Sequence, residues 1–438
     1  MQRYRLPYGK THLDFDLPDK WAPVLLAPRD IPGAADPVAE VTRSLDGKLL
    51  VDLVGGQRSA VGSRSIAAIA VNDKTRPVPH HLLLPPLLRK LEAAGLAPEQ
   101  ITLIIATGTH LPMPANEFSL VLPPEILGRY PVVSHDCDAA DLVPLGKTQR
   151  GVDVLANRRY MAADLRIVVG NIEPHQFMGW SGGAKSAAIG LAARDTINAN
   201  HALMTEPGSE LGHYDDNPTR QEVEEIGRMM GVNFALNAIL NEHKEIVHAL
   251  AGDPVQVMRE GIPLARRICQ VEVAAPFDLL IISPGGHPKD INLYQAQKAL
   301  GHATLVMKPG GTVILAAACP EGTGSRGYDE FMADPAMTSY EAVLARYKRE
   351  GYRLGPHKAW QIARDASRIR LITLTDIPTD HARRLLLHPT ANPEEALAIA
   401  QRNLPAAPRV GIMPIANATI PALALAVQHG ISSPDLGS

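Results

Sequence analysis

Cysteine is scarce in this 438-residue chain: Cys137, Cys269 and Cys319 are the only three, and they lie far apart. That count and spacing exclude a disulfide framework and a recognisable zinc site, and they suit a reducing compartment. Aromatic residues make up 4% of the chain, no Lys/Arg stripe is interleaved with them, and the formal net charge is -3, so nucleic acid is not the expected partner. The opening stretch "MQRYRLPYGKTHLDFDLP" has no continuous apolar run. It alternates polar and apolar residues, unlike a signal peptide or a membrane helix. A soluble, cytoplasmic protein that meets a small molecule and no membrane is expected.

What the chain does have is 35 Gly and 37 Pro punctuating a 45% hydrophobic, 20% charged sequence. Such punctuation favours short alternating strands and helices, and the length exceeds one hydrophobic core. The expected fold class is α/β, with two α/β domains, mainly parallel sheets and an active-site cleft between them. Residues 1–272 are expected to form the N-terminal domain and residues 273–406 the C-terminal one. The last strand and tail, 407–438, are expected to return to the first domain, with "ISSPDLGS" frayed at the end.

Three buried-strand patterns end in loops rich in chemistry. "SIAAIAVNDKTRP" ends with Asp73 and Arg76, "ITLIIATGTHLP" with His110, and "LRIVVGNIEPH" with Glu173 and His175. Parallel strands of this kind carry sites at their carboxyl ends, so the four groups Asp73, Arg76, His110 and His175 should share one sheet edge. The third strand runs on into "NIEPHQFMGWSGGAKSAAIG", a Gly-Gly turn with Lys185 in the first turn of the following helix. Backbone N–H groups of the Ser181, Gly182 and Gly183 turn, aligned with a helix dipole, form an expected phosphate cradle.

Lys185 has several readings. "GWSGGAKS" nearly matches a P-loop, but Ala184 stands where the second glycine belongs and no magnesium-binding aspartate follows. A partly buried lysine at a helix start is also suited to covalent cofactor attachment, for instance as a Schiff base with pyridoxal phosphate. The plain alternative is a solvated lysine beside a tight strand–helix turn. His110 and His175 suit general acid–base work, singly or as a pair on opposite sides of one carbon. Arg76 has the planar fork for a carboxylate, and Asp73 can orient a sugar hydroxyl or that arginine. In "SPGGHPKDINLYQAQKAL", Tyr294 and Lys298 are spaced to share a helix face beside Gln295, an anion site or an ordinary polar face.

Taken in order, "DKTRP", "ATGTH", "EPHQFMGWSGGAK", "NANH" and "SPGGHPKDINLYQAQKAL" resemble the nickel-dependent lactate racemase family, from about Leu6 to the last strand. The resemblance implies a 2-hydroxyacid racemase or epimerase using a nickel-pincer nucleotide, a pyridinium-3,5-bisthiocarboxylic acid mononucleotide that holds nickel. It implies that Lys185 carries this cofactor through a thioamide, that His201 in "NANH" is the protein ligand to nickel, and that His110 and His175 are the two bases. Arg76, Gln295 and Lys298 correspond to groups holding the substrate, with Asp73 and Tyr294 as their neighbours. The implied partners are a small-molecule 2-hydroxy acid and the proteins that build the cofactor. The implied reaction is hydride removal to a 2-oxo acid and its return to the other face. Bulky Met178 and Trp180 depart from the family pattern and are expected to reshape the pocket, and His357 and Trp360 of "GPHKAW" to line the second-domain side. A catalytically silent nucleotide or hydroxy-acid binding protein of the same fold is the alternative of a different class.

Overall fold

The computed structural model describes residues 1–47, 50, 52, 53, 66–76 and 78–424. "ISSPDLGS" lies outside the described residues. The described residues divide into two compact units, one within residues 30–268 and one of residues 1–29 with residues 269–424.

The 30–268 unit is built on a six-stranded sheet in the order Ile246–Gly252, Phe234–Leu240, Leu165–Asn171, Ala67–Asn72, Ile101–Ala106, Val132–Ser134. All neighbours are parallel except the first pair, an antiparallel hairpin. The three central strands are nearly unbroken apolar runs because both faces are covered. Ile69, Val71, Leu103, Ile105, Ile167 and Val169 pack in one core with Leu83, Leu84, Leu87, Leu88 and Leu91 of the helix His80–Ala93. On the alternate positions of the first strand stand Ala68 and Ala70, and the four-residue helix Lys185–Ala188 lies close to this strand and to Leu165–Asn171. Small side chains permit that approach.

Register decides where the loops emerge. Ala67 stands opposite both Ile101 and Leu165, and Asn72 opposite Ala106, so the three strands end level. From Ala67–Asn72 the chain proceeds to Ile101–Ala106 on one side, whereas Leu165–Asn171 flanks the other. This is a topological switch point, where departing loops diverge and leave a crevice.

The second unit holds an all-parallel five-stranded sheet ordered Arg370–Leu374, Met307–Ala316, Phe277–Ile282, Val410–Met413, Val24–Leu25. The domain bounds differ from expectation at both chain ends. Val410–Met413 is an inner strand of this sheet and does not return to the first unit, and residues 1–29 belong here as well. The reason is apolar cover: Leu6, Phe15 and Leu17 of the hairpin Gln2–Tyr8 and Thr11–Leu17 bury against Leu279, Ile281, Ile314 and Ile412. The remaining boundary, at 268/269, falls a few residues before the expected 272/273. Among the described residues no helix is long and apolar enough to cross a membrane.

Candidate functional site

At the switch point of the 30–268 unit, the three level strand ends enclose a cavity of about 130 Å³. Asp73, Arg76, His110, His175, Ser181, Gly182, Lys185 and His201 all line it. Their sequence separation is closed by the parallel register, and His201 is added by the helix Arg194–Ala202. Gly183, expected beside Gly182, is not among the lining groups.

Asp73 is 5% exposed and uses both carboxylate oxygens. Oδ2 lies 2.7 Å from His110 Nδ1, and Oδ1 accepts from Thr75 Oγ1 at 2.6 Å and from the Thr75 N–H at 3.2 Å. Burial works to raise this carboxyl, but the hydrogen bonds from His110 and Thr75 and the neighbouring imidazole outweigh it and hold its pKa below the ordinary value. In this structure Asp73 supports His110 through one oxygen and is held by Thr75 through the other. The Arg76 guanidinium instead faces Glu173, with Nη1 to Oε1 at 3.7 Å, too long for a hydrogen bond.

His175 sits at the start of a tight turn whose Met178 N–H donates to its Nδ1 at 3.2 Å. Its ring meets Phe177 edge-on at 4.8 Å between centroids, and Phe177 meets His201 at 5.2 Å. Phe177 thus touches both a candidate base and a candidate metal ligand, a role that one apolar letter among many did not announce. Met178 and Trp180, expected to reshape the pocket, do not line it; both are fully buried, and Trp180 Nε1 donates to the Gly212 carbonyl at 2.9 Å.

Two of the three N–H groups of the expected phosphate cradle, those of Ser181 and Gly183, are engaged within the protein. The Ser181 N–H donates to the Glu173 carbonyl at 2.8 Å and the Gly183 N–H to Asn237 Oδ1 at 2.7 Å. The helix beginning at Lys185 has four residues, too few for an effective dipole. A P-loop needs those N–H groups for phosphate, so this geometry is not one. The glycines serve shape: Gly182 and Gly183 have φ of 102° and 56°, and a Cβ would stand 2.8 Å from Ile172 Cγ1 or 2.6 Å from Met258 Cγ. Arg220 did not stand out in the sequence, because "NPTRQEVEE" reads only as the start of a capped helix. Its guanidinium is buried, pairs with Glu224 and donates to the carbonyls of Trp180 (3.0 Å) and Gly182 (3.1 Å). The turn is clamped from behind and Lys185 is carried to the cavity wall.

The donor set fits a covalently tethered metal cofactor. A primary amine can form an amide-type bond and a neutral imidazole is a good ligand for nickel, and Lys185 and His201 line the same cavity.

The second unit holds its own polar cluster. The helix expected over "LYQAQKALGHA" runs as Leu293–Ala296 and Lys298–Ala303 joined through Gln297, whose own backbone is in the right-handed helical region. Lys298 Nζ donates to Gln295 Oε1 at 2.8 Å. The Tyr294 ring carries the Lys358 ammonium at 4.7 Å, its hydroxyl is 3.5 Å from His357 Nε2, and Lys358 Nζ donates to Gln361 Oε1 at 2.9 Å. His357 therefore joins Tyr294, whereas Trp360 packs on Tyr347 and under Arg364.

Residues 8–212 match the lactate racemase N-terminal domain and residues 272–420 the lactate racemase C-terminal domain. The chain is 29% identical over 427 residues to a lactate racemase of Thermoanaerobacterium thermosaccharolyticum, covering 94% of this chain and 98% of that protein. It is 34% identical over 298 residues to a lactate racemase of Lactiplantibacillus plantarum, covering 67% of this chain and 69% of that one. The solved lactate racemase apoprotein of T. thermosaccharolyticum superposes with a TM-score of 0.87 at 27% identity, over 96% of this chain and all of that one. A Thermotoga maritima structure at 18% identity, with a TM-score of 0.61 over 90% of this chain and all of that one, shares the fold alone.

Proposed function

This chain belongs to the lactate racemase family and is an isomerase, and on that premise we propose that it inverts the 2-carbon of a 2-hydroxy acid, with lactate as one candidate. The observation carrying this reading is the gathering of His110, His175, Lys185 and His201 around one cavity. The relatives' names support the substrate class.

Lys185 is the tether for a nickel-pincer nucleotide and His201 the imidazole ligand to its metal, both by family resemblance. When bound, that group supplies an acceptor and donor of hydride at the 2-carbon. This chain's own residues do the rest. Arg76 holds the substrate carboxylate, the histidine pair handles the hydroxyl proton, and the planar 2-oxo acid is kept from leaving until its other face is presented. Tyr294, Gln295 and Lys298 supply a hydroxyl, an amide and a cation suited to carboxylate and hydroxyl oxygens, a role that rests on the same resemblance. Asp73 acts in this scheme through His110. The partners are then a small 2-hydroxy acid and the proteins that supply the cofactor, and the setting is the cytoplasm.

The test uses protein whose intact mass carries the cofactor adduct. It is incubated with single enantiomers of several 2-hydroxy acids in deuterated water and followed by chiral chromatography. Inversion with the original hydrogen kept at the 2-carbon is expected. Loaded protein that binds such acids but inverts none of them would instead be a silent binding protein.

A further inference from the structure

We propose that the two cavity histidines are held in opposite tautomers, His110 protonated on Nδ1 by Asp73 and His175 protonated on Nε2 because its Nδ1 accepts the Met178 N–H. The inference rests on the reading of these rings as the proton-handling pair and makes the pair unequal.

The argument begins with what each partner can do. A carboxylate only accepts hydrogen bonds, so at 2.7 Å from Asp73 Oδ2 the Nδ1 of His110 must carry hydrogen. A neutral ring then bears its lone pair on Nε2. Asp73 cannot turn away, because Thr75 holds its other oxygen through hydroxyl and backbone N–H, at 2.6 and 3.2 Å. A backbone N–H only donates, so at 3.2 Å from Met178 N the Nδ1 of His175 must carry the lone pair. The neutral ring there has its hydrogen on Nε2. The two constraints come from different strand ends and different chemistry.

The consequence is a division of labour at rest. His110 can accept a hydroxyl proton at Nε2 and become imidazolium, with the Asp73 carboxylate already beside the new charge. His175 can donate a hydrogen bond from Nε2, but to accept a proton there its ring hydrogen must first pass from Nε2 to Nδ1, which requires releasing the Met178 N–H. Asp73 is thus a positioning residue for His110, and the 175–178 turn is the element that must yield before His175 takes its turn as base. The enantiomer that uses His110 as base meets a site ready for it, and the other does not.

The tautomers can be read in apoprotein, without turnover. Protein labelled with ¹⁵N-histidine is recorded by long-range ¹H–¹⁵N correlation at pH 8, and the two rings are assigned by the signals lost in His110→Gln and His175→Gln. The expected wild-type result is an Nδ1–H pattern for His110 and an Nε2–H pattern for His175. In Asp73→Asn, His110 is expected to switch to Nε2–H while the His175 pattern stays put, which also reports that the fold is intact. Two like tautomers in the wild type overturn the inference, whether or not the Asn variant folds. So does an unchanged His110 pattern in a folded Asn variant. Failure to invert any hydroxy acid overturns the functional reading and leaves the tautomer result standing, so the two failures are separable.

Discussion

Arg220 Nη2 donates to the Gly182 carbonyl at 3.1 Å while the same guanidinium pairs with Glu224, so the turn before Lys185 is held by a buried charge. Arg220→Met removes both donors to the turn and leaves Glu224, a mostly buried carboxylate, without its partner. A loss of about 3–5 kcal/mol is expected for breaking such a pair. Urea denaturation of apoprotein checks it, and an unchanged midpoint would show that the clamp does not support the turn.

Lys185→Ala should abolish the covalent adduct. Intact mass of protein produced together with the cofactor-building proteins reads this directly, against wild type from the same host. Equal loading of the Ala variant would sink the tether assignment.

Asp73→Asn should lower kcat by roughly 10²–10⁴-fold with KM little changed, the pattern of a general base left in the wrong tautomer. A loss confined to KM would place Asp73 in substrate binding instead. Because the folded carboxyl titrates below its unfolded value, Asp73 also contributes stability that is present above the unfolded pKa and lost as pH falls through the folded one. The Asn variant should lack that part of the acid sensitivity.

Arg76→Lys keeps the charge but loses the planar fork, and a KM increase of roughly tenfold, about 1.4 kcal/mol, is expected for a carboxylate substrate. Initial rates across substrate concentration decide it. An unchanged KM would leave Arg76 to its partner Glu173 alone.

Two buried histidines predict acid lability in each unit. Burial pushes His80 and His302 down to about 4 from 6.5. As pH falls below 6.5 the unfolded chain takes up protons that the folded chain refuses until about 4, so stability is full above that window and drops across it. Each contributes roughly 3 kcal/mol of this loss. His80→Leu should flatten the stability profile between those limits, as followed by denaturation at several pH values, and a profile as steep as wild type would contradict the assignment.

Much of the site was legible because parallel strands announce themselves as apolar runs and their carboxyl ends carry the chemistry. Asp73, Arg76, His110 and His175 fall on one edge by strand pattern alone, and the ordered motifs add Lys185 and His201. The phosphate cradle is reduced for a reason outside local sequence. Two of its three N–H groups are taken, by the Glu173 carbonyl and by Asn237, and Asn237 is 54 residues beyond Gly183. The domain bounds failed similarly, since an alternating N-terminal hairpin does not say which apolar sheet it will cover.

By itself, then, the order of residues determined the strands, the loops that end them and the kinds of group those loops carry, because hydrophobic period and turn chemistry are local properties. Tertiary structure alone decided which oxygen stands beside which nitrogen: Asp73 behind His110, the Met178 N–H on His175, and Arg220 under the glycine turn. Hydrogen bonds are short and directional, and their partners are chosen by packing across separations that no sequence period records.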